Sequence, residues 1–225
     1  MKKIFIGLFV CSFLITMFFR SHYANASIEK KIDSNLSLIS EKIAKEVSLR
    51  SELSMSSNPY DYIKDNRDFD AIVSLGNEAM PYLQNKIANS EFNGLEEYIT
   101  AIAIEKIAKV NLKKIESLNW ETAKGFNEKW KIHLASIPSK VDEVSSDTTL
   151  SSQEKVKKLE ELGTPAIPFI LDKVESGDET IFPAVVELTR DSGTGTFQDI
   201  TNKKEWATEH KDQFKTLKEY VLEQK

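Results

Sequence analysis

The chain has 225 residues, 40% hydrophobic and 29% charged, with 30 Lys and Arg against 35 Asp and Glu for a net charge of −5. Eight Gly and six Pro exclude a collagen-like or low-complexity chain, and a single Cys excludes a disulfide scaffold. The acidic balance argues against a nucleic-acid partner, because a broad nucleic-acid surface needs excess Lys and Arg to displace phosphate counterions.

The chain opens Met1-Lys2-Lys3, and residues 4–19 then carry no charge. Arg20 follows, and Ala24-Asn25-Ala26 precedes Ser27. A basic start, an apolar stretch and a small-x-small site read as a secretory signal peptide over residues 1–26, cut after Ala26. The apolar run is shorter than the roughly 20 residues that span a bilayer. The alternative is an uncleaved N-terminal anchor with the rest of the chain outside. Bulky Leu8, Phe9 and Val10 before Cys11 argue against a lipoprotein site. Cleavage leaves 199 residues with 27 basic and 35 acidic, a net charge of −8 and no cysteine. Such a chain is held by core burial alone. Basic residues are nearly all Lys, and Ile and Asn are abundant, which points to an AT-rich genome. The expected address is extracytoplasmic, secreted or bound to the envelope of a low-GC Gram-positive bacterium.

Residues 27–57 form the next segment. Ile32, Leu36, Ile39, Ile43 and Val47 are spaced 4, 3, 4 and 4, which predicts a long amphipathic helix. Asn58-Pro59 then supplies a cap and a first helical position for a short helix carrying Tyr60, Tyr62 and Ile63. Residues 101–110 are strongly helical, rich in Ala and Ile. Ser151 and Glu154 have capping-box spacing, as do Asn202 and Glu205. Trp206, Phe214, Leu217 and Val221 fit one face of a terminal helix. No run of strict alternation appears, so the predicted class is all-α.

Residues 75–87 read LGNEAMPYLQNKI and residues 162–174 read LGTPAIPFILDKV. Leu, Gly, Ala, Pro and Lys recur at an offset of 87 residues, and an apolar helix follows each copy. Leu ends one helix on its buried side, and Gly permits a left-handed turn. Asn77 or Thr164 is read as the cap of the next helix, and Pro81 or Pro168 falls in its first turn. This motif resembles the HEAT-like repeat family, over about residues 70–110 and 156–190. The resemblance implies a short α-solenoid of antiparallel helical hairpins, one repeat region in residues 58–138 and the other in 139–225. Pro183, in a second-helix position, departs from the pattern. Trp130 and Trp206 each trail a repeat by about twenty residues and are read first as plugs for the hairpins they follow and otherwise as an exposed recognition platform.

Catalytic signatures are missing from the sequence, and no catalytic, cofactor-binding or metal-ligating residue is assigned. The presumed mature chain has two histidines, His133 and His210, both read as helix-surface or helix-end residues. Without Cys, they leave too few soft ligands for zinc. Asn66-x-Asp68-x-Asp70 opens like a calcium loop, but Ala71 replaces the required Gly and Asn77 the required Glu. Together with Asp61 and Asp65, these acids are read as a solvated connection between helices. Asp191-Ser192-Gly193-Thr194-Gly195-Thr196 lacks the Lys-Ser/Thr that a phosphate-cradling loop needs. Glu96-Glu97 and Glu160-Glu161 are read as candidate paired acids for glycoside chemistry, although carboxylate pairs are common on helix surfaces. Tyr60, Tyr62, Phe69 and Tyr82 form a dense aromatic group. It is read first as core filler and otherwise as a candidate interaction patch. The sequence therefore predicts an exported, non-catalytic helical-repeat module that binds an extracytoplasmic protein of unknown identity and needs no cofactor. The alternatives are a cell-envelope enzyme or accessory using carboxylates, and a membrane-tethered structural protein.

Overall fold

The computed structural model describes residues 2–190 and 200–224, with side chains from residue 26 onward. The side chains of residues 1–25 lie outside it, as do residues 191–199, including the stretch 191–196 weighed above as a phosphate loop. All described elements are helical. Helix α1 (Lys2–Leu49) seats Ile32, Leu36 and Ile39 at 2% exposure or less, with Ile28 and Ile43 half-buried beside them. The stripe ends there, because Val47 is 55% exposed. Each buried side chain contributes roughly 1.5–3 kcal/mol. The ion pair from Asp33 of this helix to Lys86, 2.8 Å and half-exposed, adds about 0–1 kcal/mol. The apolar stripe therefore decides where α1 lies.

Asn58 caps α2 (Pro59–Ile63) by accepting from the Tyr60 N–H, with Pro59 in the first turn. The acids that resembled a calcium loop are a helix start. Asn66 accepts from the N–H groups of Asp68 and Phe69 and opens α3 (Arg67–Val73). Asp68 and Asp70 lie in its first turn, where the helix dipole favours negative charge. Of the acids read as a connection between helices, Asp65 does lie in the turn between α2 and α3, while Asp61, Asp68 and Asp70 are helical, which corrects the reading for those three.

Helices α3, α4 (Met80–Asn89) and α5 (Leu95–Ala108) form one three-helix unit. α7 (Ser152–Glu160), α8 (Ile167–Glu175) and α9 (Phe182–Thr189) form a second. The pairings match: α4 and α3 pack on α5, and α8 and α7 pack on α9. Pro183 falls in the first turn of α9, where a missing N–H costs little. Between the units runs α6 (Ala123–Ser146), packed on α4 and α5 and also on α7 and α8. The predicted division at residue 138 thus falls inside a helix shared by both units.

After the second unit, Asn202 caps α10 (Lys203–His210), which packs on α8. The predicted single terminal helix is broken by a 3-10 turn over Lys211–Phe214, and α11 (Lys215–Leu222) follows. α11 lies on α6 and α8 and touches the glycine turns of both repeats. Its Tyr220 hydroxyl accepts from the Trp130 indole at 2.7 Å and donates to Gln84, whose amide donates to Gln224 at 3.2 Å. Trp130 is fully buried in α6, while Trp206 is half-buried and edge-on to Phe182.

Both repeat glycines adopt positive φ, +68° at Gly76 and +79° at Gly163. Asn77 and Thr164 do not cap helices, which corrects the reading above. They bond each other instead, the Thr164 hydroxyl donating to the Asn77 side-chain carbonyl at 2.7 Å. Gly163 presses on the end of α5, so an added Cβ would stand 2.4 Å from the Ala108 carbonyl oxygen. At Gly76 a Cβ would meet nothing within 4 Å. Gly76→Ala should therefore cost only the left-handed strain, about 1–2 kcal/mol. Gly163→Ala should cost a further ~1–3 kcal/mol from overpacking against backbone. Urea unfolding of the two variants measures the difference.

Candidate functional site

Helix α5 is buried on all sides from Ile99 to Ile104, as a central helix must be, with Thr100 the one polar residue of the stretch. At its C-terminal end the polar side chains are those of Glu105 and Lys106 in the last turn and Lys109 at the cap. Lys109 ends the helix at φ +54°, and the chain folds back through a 3-10 turn over Leu112–Lys114. That turn delivers the Leu112 N–H to Glu105 Oε1 at 2.8 Å, and the Trp120 indole N–H reaches the same oxygen at 3.2 Å. Glu105 is only 6% exposed. Burial pushes its carboxyl up, against the two donors and the ammonium groups of Lys113 and Lys106.

Beside Glu105 an open groove of about 780 Å³ runs between the two repeat units. Ile102, Val110 and Ile115 supply apolar lining, and Tyr60 of α2 also faces it. Lys106, Lys109 and Lys114 line it from the first unit. Lys157, Glu160 and Glu161 line it from α7. Burial raises the Glu160 carboxyl, and neighbouring Glu187 and Glu161 raise it further, against Arg190. A second cavity of about 600 Å³ includes the Asn77–Thr164 contact in its lining. Leu75, Ile107, Ile167, Leu188 and Leu217 give it apolar walls. Lys106 and Lys109 line both spaces, so the last turn of α5 is the partition between them.

Of the four aromatic residues singled out in the sequence, Tyr60 alone lines the groove, at 39% exposure. Phe69 is buried in the core. The Tyr62 hydroxyl donates to the Ser56 carbonyl at 3.0 Å, and the Tyr82 hydroxyl donates to Asp33 at 2.8 Å. Among the carboxylate pairs, Glu96 accepts from Ser40, and Glu97 accepts from the Gly94 N–H and the Ser90 hydroxyl. Only Glu160 and Glu161 reach the groove. Glu105 was not singled out in the sequence, although a lone acid within AIAIEKIAKV is the signal that marks it.

His210 ends α10, its ring stacked on Trp206 with centroids 4.1 Å apart. His133 was expected at a helix surface or end, but it is fully buried in the middle of α6. Its Nε2 lies 3.0 Å from the Leu162 carbonyl oxygen and therefore carries the proton, while Nδ1 has no partner. The ring is neutral for that reason, and burial pushes its pKa down to about 4. Among the described residues no group of three or more His, Cys, Asp or Glu is placed to hold a metal ion.

Comparisons with protein-family models, with curated proteins and with solved structures found no match.

The histidine sets a sign for pH dependence. The unfolded chain protonates His133 below its ordinary value near 6.5, whereas the folded chain resists until about 4. Stability is therefore full above pH ~6.5 and falls as the pH drops through that window, by about 3 kcal/mol in all. Glu105, whose carboxyl burial pushes up, contributes with the opposite sign, since its share is lost as pH rises through its raised pKa. Urea unfolding of the protein and of His133→Gln from pH 4 to 7 separates the two. The variant should lose the downward slope toward acid.

Proposed function

We propose that the protein is an exported, non-catalytic binding module of helical-repeat type, and that the groove beside α5 docks a segment of another extracytoplasmic protein. The observation that carries this reading is the groove itself, apolar in part, lined by Lys and Glu of both repeat units, and open to solvent. Apolar surface supplies the affinity in such sites, and placed charges supply register and selectivity. A short HEAT-like α-solenoid accords with two three-helix units that pack alike. Export accords with the leader. The side chains that seat α1 run from Ile28 to Ile43, so a cut after Ala26 leaves them in place. Among residues 26–190 and 200–224, no helix is long and apolar enough to cross a membrane.

A carboxylate-using envelope enzyme is the second reading. It draws on Glu105 and Glu160, two raised carboxyls that line one groove. A tethered structural protein, with residues 1–20 retained, is the third.

N-terminal sequencing of the exported protein should start at Ser27, and Met1 there would favour the tether. Affinity capture from the native envelope tests the groove. Lys114→Glu with Lys157→Glu, both exposed positions, should cut recovery of the partner by about tenfold, the order expected for two close charge pairs. Unchanged recovery, or recovery of the bait alone, would count against binding through this groove. A hydrolytic activity lost in Glu160→Gln would favour the enzyme.

A further inference from the structure

Next to the groove lies an aromatic niche filled by a cation from the same chain. The rings of Tyr98, on α5, and Trp120 stand with centroids 4.7 Å apart, tilted by 47°. The Lys113 ammonium sits over both, 4.2 Å from the Trp120 centroid and 4.8 Å from that of Tyr98. It also donates to the Tyr98 hydroxyl. Trp120 in turn holds Glu105 through its indole N–H, which keeps a carboxyl at the same spot. Two ring faces carrying negative quadrupole, a hydroxyl acceptor and a nearby carboxyl are the parts that recognise an organic cation.

Lys113 is a local occupant with little else to fix it. It comes from a three-residue 3-10 turn and is half-buried, between the buried Leu112 and the exposed Lys114. Glu105 also lines the groove, and so does Tyr60, whose hydroxyl lies within electrostatic reach of both Lys113 and Glu105. The niche therefore borders space that a ligand can enter. The identity of the better occupant follows from hydration. A primary ammonium is a compact, strongly hydrated charge that loses much on leaving water. A quaternary ammonium is weakly hydrated and spreads its charge over methyl groups that fit against ring faces. Exchange of one for the other returns the better-hydrated cation to solvent.

We propose that Tyr98, Trp120 and Glu105 form a receptor for a quaternary ammonium group, which Lys113 fills from within and yields when the ligand arrives. This proposal does not depend on a protein docking in the groove.

Tetramethylammonium chloride is the probe, with sodium chloride of matched ionic strength as the control. In the unaltered protein it should shift the Trp120 indole N–H resonance. It should also raise the acylation of Lys113 severalfold, read by mass spectrometry. Lys113→Ala should bind the probe about tenfold more tightly, because the internal competitor is gone. Adding Tyr98→Leu to that variant should remove the gain. The proposal is overturned if Trp120 does not respond in either the unaltered protein or a folded Lys113→Ala variant. It is also overturned if Tyr98→Leu leaves the affinity unchanged. Should Lys113→Ala fail to fold, the resonance and acylation measurements on the unaltered protein decide alone.

Discussion

The close approach of the second repeat's turn to the end of α5 is the contact on which the rest is arranged. Gly163 brings backbone against backbone at Ala108, with space for a hydrogen and nothing larger. That approach draws Thr164 to Asn77, places α7 opposite the last turn of α5, and so sets the width of the groove. A side chain at 163 would wedge the two units apart and move Lys157 and Glu160 away from Lys106 and Lys114. The glycine therefore governs the geometry of a surface to which it contributes no group.

Polar groups inside the core lock the units in register where apolar packing alone would let them slide. Trp130, Tyr220, Gln84 and Gln224 form a relay that ties α6, α11 and α4. Burial of these groups is costly unless each finds its partner, so the relay selects one arrangement of three helices. His133 pins α6 to the Leu162 carbonyl, beside the close glycine. Its bare Nδ1 shows that this anchor is not fully compensated. An unpartnered buried acceptor weakens the core but does not cancel the bond on the other nitrogen.

Much of this was legible in the sequence where the physics is local. Apolar spacing marked α1, side-chain caps marked α2, α7 and α10, and the recurrent Leu-Gly marked two left-handed turns. What escaped the sequence is tertiary. Val47 continues the stripe in spacing yet has nothing to pack on. His133 is polar and was placed at a surface, although the Leu162 carbonyl that holds it lies 29 residues away. The break between α10 and α11 leaves no Pro or Gly to read. Asn77 and Thr164 looked like caps because their side chains suit that role. Their partner is each other, and no local pattern reveals a bond across 87 residues. The groove was invisible for the same reason, since its two sides come from different repeats. Tyr60 was noticed as one of four rings, and only folding separated it from the other three.

The bond between Asn77 and Thr164 joins corresponding positions of the two copies. A duplicated segment is ordinarily free to drift, one copy conserving what the other abandons. Here that freedom is withdrawn at one point, because each copy is the other's environment. A change of size or donor at one position alters what its counterpart must be. The two halves are therefore expected to record their divergence as matched pairs of substitutions at this seam and as independent ones elsewhere.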